Sequence, residues 1–177
     1  SNVYSIRNDA TLTLGTQASV AATAAFTNRE NATLATPILS DGTLGEIATG
    51  ESGSSLQGTW LLSPPETYYR TGTAITARHS AVTLNGGNLE WEGTIKASTR
   101  SPTLTLRVSG SRATPTITVE RPSNAYSQYG TSPAARGAGS GVLGLASAAE
   151  GDAQTLIRTI DYLPNGAAVD AALSQIS

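Results

Sequence analysis

Apolar and polar residues alternate with a period of two over several short stretches of the chain, the pattern of strands with one buried face. The clearest stretch runs from Asn88 to Lys96, with Leu89, Trp91 and Ile95 on one side and Glu90, Glu92, Thr94 and Lys96 on the other. Val82 and Leu84 alternate with Ala81 and Thr83 just before it, and Asn85-Gly86-Gly87 in between tolerates the positive φ of a type I′ turn. A hairpin is therefore expected over residues 81–96. A second is expected over residues 103–120, where Leu104, Leu106 and Val108 point inward, Ser109-Gly110-Ser111 turns the chain, and Ile117 and Val119 return. Pro115 and Pro122 bracket the returning strand, at an entry and an exit where a sheet tolerates proline.

The remaining N-terminal sequence is less regular. Val3, Tyr4 and Ile6, then Thr11-Leu12-Thr13-Leu14, predict two short strands around a turn at Asn8-Asp9. Residues 17–36 are rich in Ala and Thr, and the Thr and Asn content favours strand over helix. Asp41-Gly42, Gly45, Gly50 and Gly53 punctuate a long loop that reaches about Gly58. From Pro122 to Gly151 small residues dominate with little apolar bulk, which predicts an extended arm or mobile loop. Helical spacing appears at the C-terminus. Asp152 is placed to cap a segment bearing Leu156, Ile157, Ile160 and Leu163; Pro164-Asn165-Gly166 interrupts it; Val169, Ala172, Leu173 and Ile176 suggest a second short helix.

These elements predict a mainly β protein: an antiparallel sheet or β-sandwich domain over residues 1–121, an extended arm over 122–151, and one or two short helices in 152–177. No internal repeat stands out. Composition agrees with strands and tight turns, since 38% of the 177 residues are hydrophobic, only 14% are charged, and the net charge is −2. There is no cysteine, which excludes disulfides, thiolate nucleophiles and Cys-based metal sites. The first residues lack the basic start and apolar run of a signal peptide. No apolar stretch approaches the roughly 18 residues that a membrane span requires.

Few side chains offer chemistry. His79 is the sole histidine, precedes a strand, and has no nucleophile elbow near it. Glu90 and Glu92 share a strand face, whereas paired glycosidase carboxylates normally come from different elements. Gly139-Ser140-Gly141-Val142-Leu143-Gly144 matches a dinucleotide fingerprint in letters, but it follows a tract of small residues rather than a strand. Neither an enzyme nor a catalytic, cofactor-binding or metal site is expected.

Two features suggest contacts instead. Residues 96–121 hold the basic Lys96, Arg100, Arg107, Arg112 and Arg121 against the single acid Glu120, while the flanking segments are net acidic. Such a segment could pair with an acidic neighbouring subunit, lie solvated, or hold a phosphate backbone; the acidic total favours the first two. Trp60, Tyr68 and Tyr69 form a candidate ligand platform, of the kind that stacks on sugar rings.

The expected function is accordingly that of a self-assembling structural protein, a virion component such as a coat, decoration or tail protein. Its partners would be identical subunits, with other virion proteins or viral nucleic acid as further candidates and no membrane. Its location would be a virion assembled in a host cytoplasm. The alternative is a carbohydrate- or ligand-binding β-sandwich, extracellular or on a cell surface. An N-terminal hairpin, an antiparallel sheet and two C-terminal helices (152–163 and 167–176) give a layout that resembles the small RNA-phage coat proteins. That resemblance implies RNA contact through sheet-face Lys96, Arg100 or Arg107, and helices that pack on a partner's sheet.

Overall fold

The computed structural model describes residues 4–177, so the expected strand residue Val3 lies outside it. The chain divides into two compact units. The first comprises Ser1–Pro65, Ile75–Ser98 and Val108–Ile117; the second comprises Glu66–Ala74, Thr99–Arg107 and Thr118–Ser177.

The first unit is a stack of short parallel coils. The first coil contributes β1 (Ile6–Asn8), β2 (Thr11–Thr13) and β3 (Ser19–Ala22); the second contributes β4 (Phe26–Asn28), β5 (Thr33–Pro37) and β6 (Glu46–Thr49). The third contributes β7 (Ser55–Leu56) and β8 (Thr59–Ser63), and after an excursion that includes β9 (Thr73–Thr76) it closes with β10 (Val82–Leu84). A small antiparallel strand β11 (Gly87–Asn88) follows, and β12 (Thr94–Ala97) begins a fourth coil. Each strand pairs in parallel with its equivalent one coil away, giving sheets β1-β4-β7, β3-β6-β10 and β2-β5-β8-β12. This is a three-sheeted parallel β-solenoid, in which no coil could bury its apolar face alone.

Register aligns like with like. Leu12, Leu34, Trp60 and Ile95 form one inward column, and Thr11, Thr33, Thr59 and Thr94 stand beside it. Asn8 stacks on Asn28 in the interior: Asn8 Nδ2 donates to Asn28 Oδ1 (2.8 Å) and to Thr33 O (2.8 Å), while Asn28 Nδ2 donates to Gln57 O (2.7 Å) and Ala32 O (3.3 Å). Inward polar side chains at a corner thus replace the backbone partners that the turning chain lacks. Gly58, at φ +66°, and Gly93 let successive corners approach more closely than a Cβ would allow.

Strands β13 (Thr105–Gly110) and β14 (Pro115–Glu120) join β9 in a three-stranded sheet of order β13-β14-β9. The second unit contains three helices: α1 (Pro133–Ala146), α2 (Asp152–Asp161) and α3 (Gly166–Ile176). Ser132 caps α1 by accepting from Ala135 N, with Pro133 in the first turn, and Asn165 caps α3 by accepting from Ala168 N. Their shared core holds Tyr126, Val142, Ile157, Ile160, Val169 and Leu173. No helix among the described residues is long and apolar enough to cross a membrane.

Several expectations are overturned. The fold is mixed α/β with parallel sheets, not an antiparallel sheet or sandwich. The reason is that alternation reports a buried face but not which strand lies alongside. Strands β1 and β2 do not form a hairpin; each pairs with the next coil. The 81–96 hairpin shrinks to β10 and β11, with Asn85 (φ 48°) and Gly86 (φ 84°) at the expected turn, while Thr94–Ala97 joins β8 in another sheet. The expected loop at 41–58 contains β6 and β7. The expected arm at 122–151 contains α1, whose Gly139 packs against the Ser127 backbone where a Cβ would not fit. The coat-protein layout loses its basis with the antiparallel sheet.

Candidate interaction surface

Among the described residues the sheet β2-β5-β8-β12 ends in an open edge on each side. Thr94 N donates to Gly58 O (2.8 Å) and Ser98 N to Leu62 O (2.9 Å). A parallel strand directs alternate residues to opposite sides, so the backbone groups of Ile95 and Ala97 face away from β8. Beside this edge lies a cleft of about 380 Å³ lined by residues 93–95 and 108–112. Arg112 braces it: Nε donates to Trp91 O (2.7 Å) and Nη2 to Gly93 O. The cleft therefore offers mainly backbone and small side chains, a surface suited to another extended chain.

The five basic residues do not form a free cationic patch. Lys96 is exposed on the outer face beside Leu61, without an ion-pair partner among the described residues. Arg112 is committed to carbonyls. In the second unit, Arg100 grips Glu66 through two bonds of 2.6 and 2.9 Å, which hold the Glu66 carboxyl below its ordinary pKa. Arg107 pairs with Glu120 at 3.1 Å on the surface.

Arg121 is buried and presents nothing to a partner. Its Nη2 donates to Asp161 Oδ2 (2.6 Å), Nε to the Tyr126 hydroxyl (2.9 Å), and Nη1 to Tyr69 O (2.7 Å) and Thr71 Oγ1 (3.0 Å). Its guanidinium lies 5.6 Å from the Tyr68 ring centre. Asp161 Oδ1 accepts from Tyr126 and Thr103, each at 2.6 Å. Burial opposes the charge on Arg121, yet hydrogen bonding and attraction from Asp161 hold its pKa above the ordinary value. Burial, reinforced by the Asp161 charge, pushes the Tyr126 hydroxyl well above the tyrosine range. No buried side-chain N or O among the described residues lacks a partner, so the network is a fully bonded structural hub.

The expected aromatic platform is likewise dispersed. Trp60 is fully buried in the first unit, where Nε1 donates to Thr36 Oγ1 (2.8 Å) and the ring lies 6.0 Å from Trp91. Tyr68 and Tyr69 belong to the second unit. Tyr69 is buried, and the half-buried Tyr68 uses its hydroxyl between Ala146 O and Ala149 N, both at 2.8 Å.

The remaining polar candidates have local roles. His79 Nδ1 lies 2.8 Å from Ser80 O, and Glu92 accepts from Gln57 Nε2 at 2.7 Å. The glycine fingerprint lies inside α1 with no strand before it. Sequence reasoning missed both Asn28 and Asp161. For Asn28 a signal existed, since Ile6-Arg7-Asn8 and Phe26-Thr27-Asn28 share one pattern ahead of Ala10-Thr11-Leu12 and Ala32-Thr33-Leu34. An acid inside a helix gives none. No family model, curated protein or solved structure matches the chain.

Proposed function

We propose that this chain is a structural subunit that joins other subunits through open strand edges, and a virion component is the assembly class that its sequence suggests. The observation that carries the reading is that the sheet β2-β5-β8-β12 is unpaired at both ends among the described residues. Such edges normally carry lysine, proline or a bulge to block pairing, and Thr11-Leu12-Thr13 at one end carries none of these. The polar chemistry supports it too, because Arg112, Arg121 and Asp161 are committed to internal bonds.

Sedimentation velocity across a wide concentration range, with electron microscopy of the same samples, tests this. Species larger than a monomer should grow with concentration. A monomer at every concentration rejects the proposal. A second reading, a ligand-binding module, draws on the cleft at residues 93–95 and 108–112 rather than on the dispersed aromatic residues. Glycan and peptide arrays without a hit would reject that one.

A further inference from the structure

The first coil differs from those stacked behind it. Among the described residues, β1, β2 and β3 each form the outermost strand of their sheet, and all three sides of this coil present backbone without a strand partner. Its inward side chains Ile6, Leu12 and Val20 are only half-buried, whereas their register partners Phe26, Leu34 and Ile47 in the second coil are 0% exposed. Tyr4, just ahead of β1, is 50% exposed. An apolar centre ringed by three open strand edges is half of an interface: solvent satisfies the edges but not the centre.

The occupant can be argued from charge and from the rest of the stack. Residues 4–22 contain one basic and one acidic residue, Arg7 and Asp9, which pair with each other at 3.0 Å. Two identical first coils can therefore meet without like charges opposing each other. The far end offers no equivalent face: inward Leu56, Trp60 and Val82 are buried, and beyond them stands only β12, whose half-buried Ile95 lies on a single edge that also carries the exposed Lys96. Head-to-tail stacking thus lacks a complementary apolar centre, and a self-complementary, two-fold contact remains.

Resting on the assembly reading above, we propose that two copies of this chain associate end to end through their first coils. Rotation about a two-fold axis through β2 sets β2 antiparallel to its own counterpart and β1 against β3 of the second copy. Leu12 of each copy then covers the apolar centre of the other.

The absence of cysteine makes the test clean. The unaltered chain, Leu12→Arg, Leu12→Cys and Lys96→Cys are compared by sedimentation, with circular dichroism and thermal melts to monitor folding. The unaltered chain should dimerise. Leu12→Arg should be monomeric with an unchanged spectrum, and oxidised Leu12→Cys should yield a covalent dimer while Lys96→Cys does not. If Leu12→Arg fails to fold, the contrast between the two cysteine variants decides alone. Association that survives Leu12→Arg, or that cross-links at Lys96→Cys instead, overturns this interface but leaves the assembly reading standing. A monomeric unaltered chain overturns both.

Discussion

Arg121 Nη2 lies 2.6 Å from Asp161 Oδ2, and neither side chain is exposed to solvent at all. A sequence reading places that arginine among surface cations; in the folded chain it ties together segments around residues 69–71, 121–126 and 161. Buried pairs of this kind add little over apolar packing, but breaking one strands a charge. Replacing Arg121 with Met should therefore lower stability by about 3–5 kcal/mol in urea denaturation. Pairing it with Asp161→Leu should recover part of the loss, and a single-variant loss below about 1 kcal/mol would contradict the hub.

The Asn8–Asn28 stack should be equally sensitive. Asn28→Ala removes the donor to Ala32 O and Gln57 O and the acceptor of Asn8. A loss of about 2–3 kcal/mol is expected, because the abandoned groups stay buried. Amide exchange should accelerate in β1, β4 and β7 more than in the second unit.

High pH should unfold the second unit through its tyrosines. Burial raises Tyr126 and also Tyr162, whose hydroxyl donates to Thr67 O at 2.8 Å. Both hold their protons more tightly when folded than when unfolded. Their contribution is complete below the unfolded value of about pH 10 and is lost as pH rises toward the higher folded values. The denaturant midpoint should therefore fall from about pH 9.5 upward, with a smaller fall in Tyr126→Phe. Tyrosinate absorbance should appear together with loss of helix rather than before it.

The placement of the cations bears on nucleic acid. With Arg100, Arg107, Arg112 and Arg121 all engaged internally, Lys96 alone among the basic residues of that segment has no ion-pair or hydrogen-bond partner among the described residues. Binding of a single-stranded RNA oligomer should be weak, and nearly flat between about 50 and 200 mM salt. A steep loss of affinity over that range, abolished by Arg100→Ala or Arg107→Ala, would show that these pairs open to phosphate.

Much of the local structure was legible. The strands at Thr11–Thr13, Thr94–Ala97, Thr105–Gly110 and Pro115–Glu120 lie where alternation placed them, and two helices fill 152–176. Their partners were not legible, because alternation is identical whether the neighbour lies across a hairpin or one coil away. The coil repeat was hidden by corners of different length: Thr11, Thr33, Thr59 and Thr94 stack in register but stand at widening intervals. α1 was missed because its Gly- and Ala-rich face carries little apolar bulk, although Ser132-Pro133 is a helix-start signal. The candidate surface was the least legible part, since open edges arise from pairing that only the fold reveals.

The stacked coils also impose an order of events. The second coil is held from both sides, whereas the first, among the described residues, leans on the second alone. Among the described residues Ile6–Ala22 has only Phe26–Thr49 as a pairing template. In a lone copy that one-sided support makes the first coil the earliest part to loosen on heating, and association through the same coil would remove the weakness.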